Sequence, residues 1–368
     1  MLTRDAIAAI HRMDDKPFFM TVFYSTAHFP YAAPAPYYRR FTFDDYMGRF
    51  KYHKPVGLGH EAPADDKDMK QVQGLYDGAV ASIDDAAAKL LAELESRGIA
   101  DHTILLVTGD HGETLYDHDH GQGHGDHLFG DEGTHVPLIV YDPRKKKQGA
   151  ASGHVASIVR DVDIAPTIYA LTGVDAPGDL DGRSLVPALD GAPLAPALAY
   201  AETGLWFTED IPALPPSWRL PYPGVARLTE IDPQHGDEIV LQKAVRPLTL
   251  VAKHRMVRDE KWKLIYMPTR AGVKYLLIDT EADPNESLDV QAQHPDVLAK
   301  MKAELWAWML RDPDMVERNG FLVPRDVSSL AKDGAGGIRL GDIGKGQGPA
   351  GAASDGESEE APPEGAQP

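Results

Sequence analysis

Two residues of types that bind metal ions follow an apolar run near the middle of the chain. Residues 104–107 (Ile-Leu-Leu-Val) are short and β-branched at both ends, which predicts a buried strand. A Thr-Gly pair ends the run, and Asp110 and His111 come next. Because open α/β sheets bind ligands beyond the carboxyl ends of their strands, this pair is predicted to lie in a functional site. It offers a carboxylate oxygen and an imidazole nitrogen to a divalent metal ion.

The segment that follows is dense in histidine. Residues 111–135, called the histidine loop below, hold six of the 15 histidines of the chain. An isolated Asp-His pair is more often an ordinary turn, but a histidine cluster favours a site for a metal ion or an oxyanion. One site needs two or three histidines, so most of the six are expected to be bystanders. His124 is the candidate, because the glycines on both sides of it let the backbone approach a ligand closely.

A second histidine follows a second apolar run. Residues 17–24 are apolar and aromatic, which predicts a buried strand, and His28 comes shortly after its end. His28 is a functional candidate if it faces the same sheet edge as Asp110, and a surface histidine otherwise. Glu113 has two open interpretations: an acceptor that orients His111, or a carboxylate in the first turn of a helix.

Composition limits the classes of function. The 368 residues carry a formal net charge of −19, which argues against a nucleic-acid-binding surface. An anionic substrate stays possible, because a metal ion would bring its own positive charge. The chain has no cysteine, so thiolate sites and disulfides are excluded. No apolar run is long enough to predict a transmembrane segment.

Apolar periodicity predicts the remaining elements. A helix is expected at 3–12 with Thr3 as its N-cap, and another at 163–171 with Asp163 as its N-cap. The other expected elements are helices at 66–97 and 295–310, and strands at 136–141, 199–202, 255–258, 261–266 and 275–279.

These segments, in this order and spacing, resemble the sulfatase family of the alkaline phosphatase superfamily. The resemblance rests on Ala-His28-Phe-Pro, on Gly-Asp110-His111-Gly-Glu and on Gly-His124-Gly followed by Val-Pro-Leu-Ile at 136–139. It implies an α/β fold with an alkaline-phosphatase-like mixed sheet sandwiched by helices. The implied units are a truncated sulfatase-like domain at 1–250 and a small antiparallel C-terminal subdomain at 251–312. Composition adds a disordered tail at 331–368.

The resemblance also implies chemistry. Asp110 and His111 would bind a divalent metal ion, which is calcium by family, with manganese or zinc as alternatives. His28 and His124 would stabilise charge on the leaving oxygen and on the transferred group. The implied activity is hydrolysis of sulfate esters. The implied substrate is a small molecule or glycan carrying a sulfate or phosphate ester, and the oligomeric state stays open.

One part of the family pattern is missing. Family members carry an N-terminal aspartate pair and a Cys/Ser-x-Pro-x-Arg nucleophile segment, and neither element occurs here. The resemblance therefore implies a truncated chain without the nucleophile and with half of the metal site. The alternatives are a phosphoric ester hydrolase, a phosphoethanolamine- or glycerol-phosphate-type transferase of the same superfamily, and a catalytically inactive fragment or binding protein. The compartment stays open, and a further N-terminal segment would be compatible with a periplasmic or membrane-associated location.

Overall fold

The computed structural model describes residues 1–13, 16–55, 63, 65–147, 153–205, 214–220, 228–243 and 245–326. Its helices are α1 Leu2–Arg12, α2 Asp66–Ser96, α3 Pro143–Lys147, α4 Ile164–Thr172, α5 Val186–Leu189, α6 Arg246–Ala252 and α7 Pro295–Met309. Its strands are β1 Leu105–Thr108, β2 Thr114–Leu115, β3 Gln122–Gly123, β4 Leu138–Tyr141, β5 Ala199–Glu202, β6 Thr229–Asp232, β7 Glu238–Leu241, β8 Arg255–Arg258, β9 Trp262–Thr269, β10 Gly272–Asp279, β11 Met315–Arg318 and β12 Phe321–Pro324. The mixed α/β class is the predicted one.

The long helix α2 packs against the start of the histidine loop. It begins at Asp65, whose carboxylate accepts a hydrogen bond from the backbone N–H of Asp68, and it ends before Gly98 in the left-handed conformation. Both ends match the prediction for 66–97. The apolar face of α2 is buried in a cluster that includes Leu115, which lies in β2 at the start of the histidine loop. The helix therefore fixes the first part of that loop.

Strands β1 and β4 bring the two ends of the histidine loop together. They pair antiparallel, with Leu105 opposite Tyr141 and Thr108 opposite Leu138. Both predicted segments are strands, but the one at 104–107 is not buried as expected, since Val107 is 41% exposed. The pairing brings the two ends of the loop close together. Asp110 and His111 follow the end of β1, where the two ends of the histidine loop meet.

The predicted buried strand at 17–24 is wrong. These residues belong to no strand among the described parts of the chain, and Phe19 and Phe23 are 76% and 64% exposed. An apolar sequence favours burial, but a strand also needs a neighbour that pairs with its backbone groups. Thr3 is not an N-cap either, because α1 begins one residue earlier and the Thr3 hydroxyl lies 3.1 Å from the Tyr24 hydroxyl.

The C-terminal sheet is four-stranded and antiparallel, in the order β10-β9-β8-β5. Its predicted strands and the helix predicted at 295–310 are confirmed, and α7 buries Met301, Leu305 and Met309 against one sheet face. Strand β5 pairs with β8, so residues from both predicted units share this sheet. The boundary at 250 stays a prediction, and the tail predicted at 331–368 lies outside the described residues. None of the described helices has the length and apolarity that crossing a bilayer requires.

Candidate active site

Asp110 and His111 converge in the turn after β1. The backbone N–H of His111 donates to Asp110 Oδ1 at 3.1 Å, and Asp110 Oδ2 lies 3.7 Å from His111 Nε2. His111 Nδ1 lies 2.8 Å from the carbonyl oxygen of Gly112, so Nδ1 carries the proton and donates it. The lone pair of Nε2 therefore points to the same side as a carboxylate oxygen. This arrangement can give two ligands to one cation.

His124 and His28 lie beside this pair. The His124 ring stacks on His111 with the ring centroids 3.9 Å apart, and the His28 ring lies 5.1 Å from His124, edge to face. His28 Nδ1 lies 2.8 Å from the carbonyl oxygen of Phe29, which leaves Nε2 available. The structure thus brings together all four residues that the sequence singled out, with His124 in the middle.

Glu113 binds His124, which neither sequence interpretation expected. Glu113 Oε1 lies 3.3 Å from His124 Nδ1, and Glu113 is only 8% exposed. The hydrogen bond to this carboxylate raises the pKa of His124, although partial burial of the imidazole opposes the shift. The chain continues into strand β2 rather than a helix, so the first-turn interpretation of Glu113 is wrong.

A hydrogen-bonded network joins two tyrosines through the side-chain amide of Gln122. Gln122 donates from Nε2 to the Tyr31 hydroxyl at 3.0 Å and accepts from the Tyr116 hydroxyl at 3.0 Å. Burial raises the pKa of both tyrosines, to about 12 for Tyr116, so both hydroxyls stay protonated and neutral. Because Tyr31 follows His28 and Gln122 precedes His124 in the chain, this network ties the two histidine segments together.

Asp161 is a site neighbour that the sequence did not reveal. It lies in the turn before α4, and the pKa of its carboxyl is raised by partial burial and by the charge of Asp110. A second acidic group therefore faces Asp110 from a distant part of the chain. No spacing relates Asp161 to the histidine loop, so only the fold could place it there.

The donor set fits a divalent cation only in part. Asp110 and His111 offer oxygen and nitrogen, which suit calcium, manganese or zinc to different degrees. Among the residues that the structure describes, no three histidine or carboxylate side chains converge closely enough to hold a metal ion. Asp110 and His111 are thus the two described side chains placed to act as ligands together.

Comparison with known proteins finds a family match over the part of the chain that holds this site. The Sulfatase family model matches residues 1–174, which include α1, the histidine loop and α4. We call residues 1–174 the sulfatase segment, because they match the model of that family. All four convergent residues lie inside this sulfatase segment.

Two relatives show how far the similarity extends. The multifunctional alkaline phosphatase superfamily protein PehA of Trinickia caryophylli is 28% identical over 223 residues, which are 52% of this chain and 41% of PehA. Arylsulfatase K of Bos taurus is 26% identical over 241 residues, 65% of this chain and 37% of that protein. The chain thus spans about two fifths of the length of these relatives.

A solved structure shows the same fold. The phosphonate monoester hydrolase of Agrobacterium radiobacter superposes with a TM-score of 0.61 at 22% identity. The match covers 88% of this chain and 64% of that protein, so it includes the C-terminal sheet as well as the sulfatase segment. The predicted alkaline-phosphatase-like fold class is thereby confirmed.

His127 lies in a separate buried cluster of the sulfatase segment. Its ring centroid is 5.8 Å from that of His120, and its Nδ1 accepts a hydrogen bond from the backbone N–H of Phe129 at 3.2 Å. Burial lowers the pKa of His127 to about 4, and it lowers that of the fully buried His254 to about 3. Both imidazoles are therefore neutral at pH 7, and the structure places neither beside His111.

These buried imidazoles predict a stability that falls with acid. An unfolded histidine takes up its proton near pH 6.5, whereas folded His127 does so only near pH 4. Between these values the unfolded state binds more protons, so the free energy of unfolding decreases as the pH falls. We expect His127 to account for about 3 kcal/mol of this loss, measured by urea unfolding at pH 7 and pH 4. His127→Asn keeps an acceptor without titrating, and its pH dependence should be flatter; an equally steep one would contradict the assignment.

Gly112 is required where the two ends of the histidine loop touch. Its N–H donates to the carbonyl oxygen of Gly133 at 3.0 Å, and a Cβ on Gly112 would lie 1.8 Å from the carbonyl oxygen of Glu132. We expect Gly112→Ala to destabilise the protein by about 2 kcal/mol or more, because the backbone must separate. Chemical unfolding measures the change.

Gly133→Ala is the matched control for that substitution. A Cβ on Gly133 would meet no atom within 4 Å, although this glycine belongs to the same contact. Its effect on the free energy of unfolding should stay within about 0.5 kcal/mol. Equal losses in the two variants would show that the close approach at Gly112 is unimportant.

Proposed function

We propose that this protein carries the metal- and sulfate-binding part of a metal-dependent hydrolase of sulfate esters. The observation that carries the proposal is the convergence of His28, His124, His111 and Asp110, within the sulfatase segment. Metal-type ligands and cationic hydrogen-bond donors at one point suit the cleavage of an anionic ester.

His124 is proposed to bind the oxygens of the transferred sulfuryl group. Glu113 raises the pKa of His124 and so increases the fraction of imidazolium at neutral pH. The proton on Nδ1 is held by Glu113, which leaves the Nε2–H of the imidazolium to donate to a sulfuryl oxygen. A preorganised cationic donor stabilises charge in the transition state more than in the ground state.

His28 is proposed to protonate the leaving oxygen. Its Nδ1 is occupied by the carbonyl oxygen of Phe29, so Nε2 is the atom that can hold the proton. The open cavity beside it has a volume of about 380 Å³ and is lined by His28, Phe29, Pro30, Ala32 and Pro34, with Ser25 and Thr26. Phe29, Pro30, Ala32 and Pro34 make part of this lining apolar, which supports a leaving group with an aryl or other apolar face.

Asp110 and His111 would hold the divalent ion. When bound, the ion would supply Lewis-acid polarisation of the ester and would favour the deprotonated nucleophile. The carbonyl oxygen of Gly112 would accept a hydrogen bond from the Nδ1–H of His111. This bond keeps Nε2 unprotonated and able to bind the ion. Calcium is the first choice by family resemblance, with manganese and zinc as alternatives.

The nucleophile has no candidate in these 368 residues. The chain holds no cysteine and no Ser-x-Pro-x-Arg or Thr-x-Pro-x-Arg segment. Covalent transfer of a sulfuryl group needs such a group. The proposed activity therefore requires the nucleophile and the remaining metal ligands from residues outside this sequence, and without them the chain is expected to bind rather than cleave.

A phosphate or phosphonate ester is the second candidate substrate. It is favoured by the similarity to PehA, which is described as a multifunctional alkaline phosphatase superfamily protein. Sulfuryl and phosphoryl groups both place anionic oxygens where His124 can bind them. The transfer differs in charge, because a phosphate monoester carries one more negative charge than a sulfate ester near neutral pH.

The test compares matched esters with the protein produced from its complete natural gene. We expect p-nitrophenyl sulfate to give a higher kcat/KM than p-nitrophenyl phosphate and p-nitrophenyl phenylphosphonate, which all release p-nitrophenol. We also expect a chelator to abolish the activity and added calcium or manganese to restore it. A preference for either phosphorus ester would establish the second candidate, and chelator-resistant cleavage would remove the metal ion from the proposal. No cleavage of any ester would favour a binding role.

A further inference from the structure

A fully buried ion pair joins the C-terminal sheet to the histidine loop. Lys263 lies in β9 and Glu286 in the turn after β10, and they are 0% and 5% exposed. Lys263 Nζ lies 2.8 Å from both carboxylate oxygens of Glu286. Isolated charges at this depth would be strongly unfavourable, so each residue depends on the other.

The pair binds both backbone groups of one loop residue. Lys263 Nζ donates to the carbonyl oxygen of Gly130 at 2.8 Å, and the Gly130 N–H donates to Glu286 Oε2 at 2.8 Å. Gly130 has a φ of +70°, and a Cβ there would lie 1.8 Å from a Glu132 carboxylate oxygen. The loop therefore meets the ion pair at a position whose backbone conformation favours glycine.

Neighbouring strands make two more contacts with the same loop. Arg258 is the cross-strand partner of Lys263, and its guanidinium binds the Asp131 carboxylate. Directly after β5, the N–H of Gly204 donates to the carbonyl oxygen of Gly125 at 2.8 Å. Gly125 is bonded to His124, so the sheet holds the loop on the C-terminal side of the candidate catalytic histidine.

Stability alone does not account for a buried ion pair in this place. Replacing such a pair by apolar residues of similar size is often neutral or stabilising, because desolvation of the two charges offsets their attraction. An apolar pair, however, could not bind both the N–H and the carbonyl oxygen of Gly130. The observed contacts thus favour a role in holding the loop.

We propose that Lys263 and Glu286 are positioning residues that hold the histidine loop in the arrangement in which His124 stacks on His111. This proposal rests on the proposed function, because that function is what makes the position of His124 important. The hydrogen bonds of Lys263 and Glu286 to Gly130 are contacts within this chain and do not depend on that function. No relation to the metal ion or the substrate is assumed for either residue.

The test measures amide hydrogen exchange of the 368-residue chain without substrate. In Lys263→Met/Glu286→Leu we expect exchange of the amides at 121–130 to accelerate by about 10-fold or more, while amides of β9 and β10 change little. An ion pair that served only general stability would change the loop and the sheet together. Unchanged loop protection, or equal acceleration in loop and sheet, would overturn the proposal.

Two further variants sharpen the result. Glu286→Gln keeps an acceptor for the Gly130 N–H, and burial lowers the pKa of Lys263, so a neutral amine can still donate. We expect its loop exchange to stay within about threefold of the wild type, and this variant also serves if the double variant fails to fold. Lys261→Met/Glu281→Leu removes an exposed pair on the same hairpin and should leave the loop unchanged.

Activity provides an independent readout. In the active protein the buried double variant should lower kcat by about 10-fold to 100-fold with little change in KM, because misplaced groups lose transition-state contacts. Loop exchange without an effect on kcat would separate positioning from catalysis and overturn the link to His124. Failure of the proposed function would instead appear as absent ester cleavage in the wild type, with the exchange result intact.

Discussion

Asp110→Ala is expected to lower kcat for sulfate-ester cleavage by about 10³-fold or more in the active protein. Asp110 Oδ2 and His111 Nε2 lie 3.7 Å apart and face the same side, so the substitution removes half of the ligand pair that the described residues supply. The Asp110 side chain is 60% exposed, so its removal should hardly change the fold. The loss should therefore appear in kcat and in metal binding, and not in the thermal midpoint.

Steady-state kinetics with a metal titration measures this result. The control is His135→Ala, which removes an exposed histidine from the far end of the histidine loop. Its kcat should equal that of the wild type within about twofold, since no contact joins it to the site residues. An Asp110→Ala enzyme that kept its rate and its response to a chelator would remove Asp110 from the metal site.

The position of Asp110 and His111 just after an apolar run predicted the candidate site from local sequence. Asp110 and His111 follow β1 directly, and β1 could be located from four apolar residues. His28 was selected by the same argument, although the strand that was expected before it is absent. Its position depends instead on the turn at 25–31 and on the network of Tyr31 and Gln122. His28 thus lies beside His124 as expected, but the strand that predicted this position is not what places it there.

Contacts between distant segments could not be predicted in this way. The bond of Glu113 to His124 joins two strands of a short hairpin, and its geometry depends on β2 pairing with β3. The approach of Asp161 to Asp110 depends on the path of the chain through some fifty residues. Lys263 lies in β9 and Glu286 in the turn after β10, and only the packed loop shows what they bind.

Periodicity predicted the helices well and their side-chain caps less well. Helices α2, α4 and α7 were found because their apolar residues recur at helical spacing over several turns. Asp163 was expected to cap α4 with its carboxylate. It stands at that position, but its carboxylate binds the Arg160 side chain and the backbone of Arg160 and Arg183 instead. Competing partners from elsewhere in the fold decided the outcome.

Asp163→Ala is accordingly expected to destabilise the protein by about 3–5 kcal/mol, the cost of removing one partner from a buried ion pair. Asp163 is 0% exposed and accepts from Arg160 Nη2 at 2.7 Å, from the Arg160 N–H at 3.0 Å and from the Arg183 N–H at 2.9 Å. The substitution leaves these donors without their acceptor. It also releases the segment at 182–185, where the backbone passes so close to Val162 that a Cβ on Gly182 would lie 1.8 Å from its carbonyl oxygen.

Asp161→Ala is the matched control, because Asp161 lies two residues earlier in the same turn and, unlike Asp163, is in contact with solvent. Guanidinium unfolding should show a change of no more than about 0.5 kcal/mol for this variant. Its removal also relieves repulsion with Asp110, so any effect should be in the stabilising direction. Similar losses in the two variants would mean that the buried hydrogen bonds of Asp163 contribute no more than an exposed carboxylate does. A large loss confined to Asp163→Ala would establish that this carboxylate joins the segment before α4 to the segment before α5, and thereby fixes the turn that carries Asp161 toward the site.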